Sequence, residues 1–451
     1  MAPIRVLLGL ASTWCIGWAA ARFFTDSFGR KERAAWGLAT GLLAQSAFLL
    51  LFLAVRVRPD LASFLLADAA VVGVSLLLRR PALNVGKRVP ARARRERLVP
   101  ALLGGTAVGA WGIFCVLALS EPMWSTDYLA IWGMKGKTIY LTESLPGRLF
   151  HDPALAWANP EYPLLVSLSL AVLAFFSGTW DGQALALLFP VCELATLAVL
   201  WAFLSRRVSA VAGGVAAALA SLCFFLYQAA NAGTAEVPLA LGVVLASSAV
   251  LDFLDADSGP VRARLAIAAL FCASLKQEGA LFVLLLSGLV FIRSWRARRG
   301  TGLIGALMLS GPPLLHSGLL FLLRGPQAGR AFDRTLFEPR RWLELAARFR
   351  LVIQEILGVE ARQAFVALAA IVLFLLLTKR GIADPLLPVF SAQMLVYALA
   401  FSVSAFDPLW AIDAALSRLT LTLFPAFALV LAARLQKFER VGVLRNRVVS
   451  A

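Results

Sequence analysis

The sequence is short of charge, of acidic groups and above all of histidine. Only 15% of its 451 residues are charged, Asp and Glu number 26 against 43 Lys and Arg, and there are two histidines. His151 and His316 stand far apart, so no histidine-based metal site is expected and no metal ligand is assigned. The five cysteines, Cys15, Cys115, Cys192, Cys223 and Cys272, lie inside apolar segments without paired spacing. They read as small buried hydrophobes, which excludes a disulfide framework. There is no GxGxxG loop, P-loop lysine motif or HExxH, so no cofactor is expected. Gly/Ser-rich linkers and repeats of about 20–50 residues are also missing.

What the chain has in abundance is apolar length. Hydrophobic residues make up 60% and mean hydropathy is +0.80, whereas soluble domains run at about 45–50% apolar. This excludes an ordinary soluble enzyme and predicts an all-α polytopic membrane protein. A span needs about 20 apolar residues, and that length predicts about thirteen spans. The formal charge of +17 comes from basic residues in short loops between spans, so positive-inside topology accounts for it and no nucleic-acid partner is expected.

The first three apolar segments, Ile4–Ala21, Trp36–Val55 and Leu61–Leu78, are followed by Arg79–Arg97, whose eight basic residues face one Glu96. That basic loop is expected in the cytoplasm, and the N-terminus outside. Ile4–Ala21 shows no small-residue cleavage site and reads as a retained span. Residues 1–97 therefore read as a three-span addition and residues 98–451 as the main membrane domain. Leu98–Leu119 runs outward, and Glu121–Pro163 is then a polar, aromatic loop on the outer face.

Leu164–Phe176, bounded by Pro163 and Gly178, is too short for a comfortable span and is expected to be re-entrant or interfacial. Further spans are Ala184–Leu204, Val208–Tyr227, Val237–Leu254, the close pair Leu265–Leu275 and Ala280–Ile292, and Thr301–Leu323. Within the basic segment 324–362, Trp342, Leu345, Phe349, Val352 and Ile356 recur at helical spacing, which predicts a helix lying in the interface. Gln363–Leu377, Pro385–Ser404 and Leu419–Leu435 complete the spans, and the basic tail ends in the cytoplasm.

This topology carries Asp127, Lys135, Lys137, Glu161, Glu236, Lys276, Glu278 and Arg418 to one outer face. Ionisable groups beside spans are costly to desolvate, which makes each a functional candidate. Each also has a plainer reading. Asp127 either N-caps a helix or draws a proton from a hydroxyl. Lys135 and Lys137 meet lipid headgroups or a donor phosphate. Glu161 sits with Tyr162 in the turn Asn159-Pro160-Glu161-Tyr162-Pro163, where the two prolines restrict the backbone. Glu236 either favours a helix start through the macrodipole or acts chemically. Lys276 and Glu278 interrupt an apolar hairpin and must pair with each other or face a polar cavity. Arg418 either snorkels or clamps a phosphate with its planar guanidinium. Trp124, Trp132, Trp157 and Trp180 fit an interfacial aromatic belt or a sugar-stacking set.

Several short motifs, in order and on one expected side, carry a family resemblance. They are Thr126-Asp127-Tyr128 with Trp132 and Lys135, Asn159-Pro160-Glu161-Tyr162-Pro163-Leu164, Thr234-Ala235-Glu236-Val237-Pro238-Leu239, Lys276-Gln277-Glu278-Gly279, and Ser417-Arg418 before Pro425. From about Leu98 onward the chain resembles the GT-C superfamily of membrane glycosyltransferases. Those enzymes use polyprenyl-phosphate sugars and are related to protein O-mannosyltransferases and aminoarabinose lipid A transferases. The resemblance implies inverting transfer on the outer face of a bacterial inner membrane. The donor is a polyprenyl-phosphate-linked sugar, and the acceptor a hydroxyl on a glycan, lipid or protein. Asp127 matches the first-loop catalytic acidic residue of the family, which implies the general base. Glu236 matches a second acidic position that is Asp in many relatives. Lys135, Glu161, Tyr162, Lys276, Glu278 and Arg418 are the implied substrate-binding positions. A multi-span transporter or lipid flippase is the alternative, because intramembrane charges are equally ordinary there.

Overall fold

The protein is described by a computed structural model covering residues 2–25, 29–78, 98–145, 147, 158–160, 162–226, 232–298, 300–324, 339–358, 385–403, 409, 412–413, 415–416, 418–419 and 421–430. The expected span Gln363–Leu377, the basic loop Arg79–Arg97, Trp157 and Glu161 lie outside these residues.

The described residues form helices and no strands. In chain order these are α1 Ala2–Ala21, α2 Arg30–Ala54, α3 Leu61–Leu77, α4 Leu98–Ser120, α5 Gly133–Thr142, α6 Leu165–Ser177, α7 Gly182–Leu185 and α8 Leu188–Arg207. Then come α9 Ala210–Leu226, α10 Glu236–Asp255, α11 Gly259–Leu275, α12 Gln277–Arg296, α13 Gly302–Arg324, α14 Pro339–Gly358, α15 Leu387–Val403 and α16 Leu421–Val430. Among the described residues, seven helical stretches are long and apolar enough to cross a membrane. Large apolar side chains such as Leu66, Leu77, Val116, Leu315 and Leu322 are exposed on their surfaces. A lipid-facing surface explains this, because so many large apolar side chains exposed along apolar helices are disfavoured in water. The chain is a helical membrane protein.

Burial ranks the helices. In α10, 89% of the span is buried, against 17% in α4, so α10 is the central post and α4 is peripheral. α10 packs on α8, α11 and α12. The first two helices join the same core: one cluster runs from Val6 and Trp36 through Leu241 to Leu429. They cross so closely that a Cβ on Gly17 would overlap the Gly37 carbonyl, and one on Gly41 the Thr13 carbonyl. Small residues that let backbones approach are the usual contact between helices in lipid, where packing replaces the hydrophobic drive.

The two ends of α10 carry opposite kinds of contact. Its last turns hold Asp252, which accepts from Arg264 at 2.7 Å and Arg207 at 2.8 Å, while Arg206 bridges it to Glu32 at the start of α2. This network ties α2, α8, α10 and α11 together. Glu236, at the other end, lies about 24 Å away by the rise of a helix and belongs to a different cluster.

Some expectations shift. Helix α6 has 13 residues, short for a span as expected, and all of them are buried among the other helices. Its side chains are apolar except for Ser167, Ser169 and Ser177, whose hydroxyls donate to backbone carbonyls, so no polar face is left to meet water. Helix α14 forms as the spacing predicts; Val352 is fully buried and α14 packs on α15. Cys192, Cys223 and Cys272 are buried, but Cys15 is exposed and Cys115 only half-buried, because the outward faces of α1 and α4 are themselves apolar.

Candidate functional site

Asp127 enters through an irregular helix start. Ser125 Oγ accepts from the Tyr128 amide at 3.0 Å and so caps the turn. Asp127 itself has φ −62° and ψ −40° and makes no capping bond. A cap residue takes an extended backbone, so the capping reading of Asp127 does not hold. Tyr128–Trp132 forms a single π-helical turn before α5. Such turns insert one residue and re-aim the side chains around them. Tyr128 is buried beside Trp180, and burial pushes its phenol up to about 12.

The turn after the loop is pinned from within. Lys135 is fully buried and its Nζ donates to the Asn159 carbonyl at 2.6 Å. The same carbonyl accepts from the Tyr162 amide at 3.0 Å, and Asn159 has φ 47°, a left-handed conformation that asparagine tolerates. Lys135 is therefore drawn to the loop's own backbone. Tyr162 stacks on the fully buried Trp132, with ring centroids 5.5 Å apart and planes within 16°. Its phenol lies within electrostatic range of Lys276 and Arg418.

Lys276 occupies the break between α11 and α12. It is the single extended residue there, with φ −160° and ψ 155°. The Gly279 amide donates back to the Lys276 carbonyl at 3.1 Å. A Cβ on Gly279 would overlap the Cys272 carbonyl, so only glycine lets α12 start this close to α11. The buried Lys276 Nζ donates to Glu236 Oε1 at 2.8 Å and reaches Glu278 at 3.4 Å. Burial works against the ammonium charge, but the Glu236 and Glu278 carboxylates more than offset it. Lys276 thus titrates well above the ordinary lysine value.

Arg418, just ahead of α16, closes the set. Its Nη1 donates to Asp127 Oδ2 and stands 3.9 Å from Glu236 Oε1. The result is a continuous row of alternating charge, Asp127, Arg418, Glu236, Lys276, Glu278, drawn from four parts of the chain. The inner pair is the more deeply buried: the Glu236 and Lys276 side chains are 1% and 5% exposed, against 20% for Asp127 and 30% for Arg418.

The structure thus joins Asp127, Tyr162, Glu236, Lys276, Glu278 and Arg418, and it places Lys135 behind them. Two further groups belong here. Gln393 on α15 donates to the Glu278 carbonyl at 3.4 Å, and Tyr397, one turn on, lies within electrostatic range of Glu278, Lys276 and Glu236. Their signal in the sequence is a polar pair at i, i+4 inside an apolar span. Chemically, the row offers a partly exposed carboxylate beside a partly exposed guanidinium, backed by a buried ammonium. That is a proton acceptor next to an anion-binding pair.

No protein-family model matches this chain, and neither a curated protein nor a solved structure shows detectable similarity to it.

Proposed function

We propose that this protein is a GT-C-like membrane glycosyltransferase of about thirteen spans. On this reading it moves a sugar from a polyprenyl phosphate to an acceptor hydroxyl, with inversion, on the extracytoplasmic face of a bacterial inner membrane. The observation that carries the reading is the contact of Asp127, in a polar loop, with Arg418, which shares Glu236 with Lys276. A base and two cations within one ion-pair row are what sugar transfer from a phosphate requires.

Asp127 takes the proton of the acceptor hydroxyl as its oxygen attacks the anomeric carbon from the face opposite the phosphate. The bond from that carbon to the phosphate oxygen breaks, and its electron pair leaves with the polyprenyl phosphate. Charge grows on that phosphate in the transition state, and Arg418, with the buried Lys276 charge behind it, is pre-positioned to stabilise it. Glu236 is buried and held by both cations, so it acts through them as a positioning residue. Gln393 and Glu278 fix the α12 end of the row. Glu161 and Lys135 keep their proposed parts in substrate binding, Lys135 by holding the turn that presents Tyr162. The basic charge of α14 suits the anionic head of the lipid donor, and this helix is proposed to line the donor's entrance.

Incubation of purified protein with polyprenyl-phosphate sugars tests the reading. Sugar transfer, or slow hydrolysis without an acceptor, supports it. Movement of the lipid between leaflets without bond cleavage would favour a flippase instead.

A further inference from the structure

Resting on that reading, we infer that Asp127 is kept out of use by Arg418 until a phosphate takes its place on the guanidinium, so that donor binding itself releases the base. Three carboxylates face two cations in the row, so both cations are already matched. An incoming phosphate brings more negative charge and gains a cation only if a carboxylate steps aside.

Exposure and geometry decide which carboxylate moves. Glu236 is 1% exposed and holds Lys276 at 2.8 Å; removing it would strand a buried ammonium. Glu278 is 24% exposed, but its ion pair among the described residues is with the buried Lys276, at 3.4 Å, so its departure would leave the accessible guanidinium still occupied. Asp127 is 20% exposed, is carried by a one-turn irregular segment, and meets the most exposed cation of the row. The outer Asp127–Arg418 pair is therefore the exchangeable contact, and the inner Glu236–Lys276 pair is the fixed one. A guanidinium prefers phosphate because its fork matches two phosphate oxygens. While Asp127 Oδ2 accepts from the guanidinium, that oxygen is occupied and not open to an acceptor hydroxyl. The exchange thus converts the resting pair into a phosphate clamp and a free base in one step.

This makes a paradoxical prediction: variants without the base bind the lipid phosphate better. Binding of polyprenyl phosphate to detergent-solubilised protein is measured by titration for wild type, Asp127→Asn and Asp127→Ala. Affinity is expected to rise about threefold to tenfold in both variants, the range of a part-exposed charge pair. Adding Arg418→Ala should abolish the gain. Where the asparagine variant does not fold, the alanine variant answers the question alone. Equal or weaker binding by the variants would overturn the exchange while leaving the glycosyltransferase reading intact. Absence of binding by wild type would overturn both.

Discussion

Arg418 donates to Asp127 across 291 residues of sequence, and through this contact the last described helices close onto the polar loop that follows α4. The same guanidinium nitrogen stands 3.9 Å from Glu236, so one side chain links the loop to the central helix. Exposed ion pairs contribute little to stability, but this one is part-buried and belongs to a row. Its chief consequence is for chemistry: it sets a carboxylate and an anion-binding group side by side.

The guanidinium fork should matter more than the charge. Arg418→Lys keeps a cation but loses bidentate geometry. It is predicted to fold normally and to raise KM for the lipid donor about tenfold, a loss of some 1.4 kcal/mol. Steady-state kinetics with varied donor checks this; an unchanged KM would show that Arg418 does not hold the phosphate.

The inner pair should carry stability. Lys276→Met leaves Glu236 buried without its closest cation, and losing one partner of a buried pair costs about 3–5 kcal/mol. The double variant Glu236→Gln, Lys276→Met should cost less than the sum of the singles, because neither leaves a stranded charge. Thermal melting in one detergent measures all three, and strict additivity would contradict the pairing.

The raised titration of Lys276 sets a pH window. A folded-state value above the unfolded one stabilises fully below the unfolded value, about 10.4, and the gain is lost as pH rises through the folded value. The melting difference between wild type and Lys276→Met should therefore stay constant from about pH 7 to 9 and shrink only at higher pH. Shrinkage already between those neutral and mildly alkaline values would mean that Lys276 is not held charged.

The close approach at Gly279 gives a local test. Gly279→Ala drives a Cβ into the Cys272 carbonyl and to 2.6 Å from Leu239, so overpacking should cost about 1–3 kcal/mol and displace Lys276. Gly109→Ala, in open space on α4, is the matched control and should be neutral or slightly stabilising. Equal turnover of the two variants would show that the α11–α12 break does not position the site.

Much of this was legible in the sequence, for physical reasons. Charged residues inside or beside apolar runs stand out because burying them is costly, and Asp127, Glu236, Lys276, Glu278 and Arg418 all carry that signal. The pairing was not legible. Nothing local to Asp127 announces a partner near the far end of the chain, and the capping reading was equally consistent with Ser125-Thr126-Asp127 until the backbone angles assigned the cap to Ser125. Lys135 looked like a surface cation, but its burial follows from the loop folding back through Asn159. Gln393 and Tyr397 carry little signal, because uncharged polar side chains barely interrupt an apolar span.

The most direct test of the whole account is the transfer rate of Asp127→Asn beside wild type, with polyprenyl-phosphate sugar as donor and folding checked by size exclusion and melting. The account predicts a folded variant whose transfer falls about 10²- to 10⁴-fold, the contribution expected of a positioned general base. A folded Asp127→Asn that transfers sugar at the wild-type rate would contradict it.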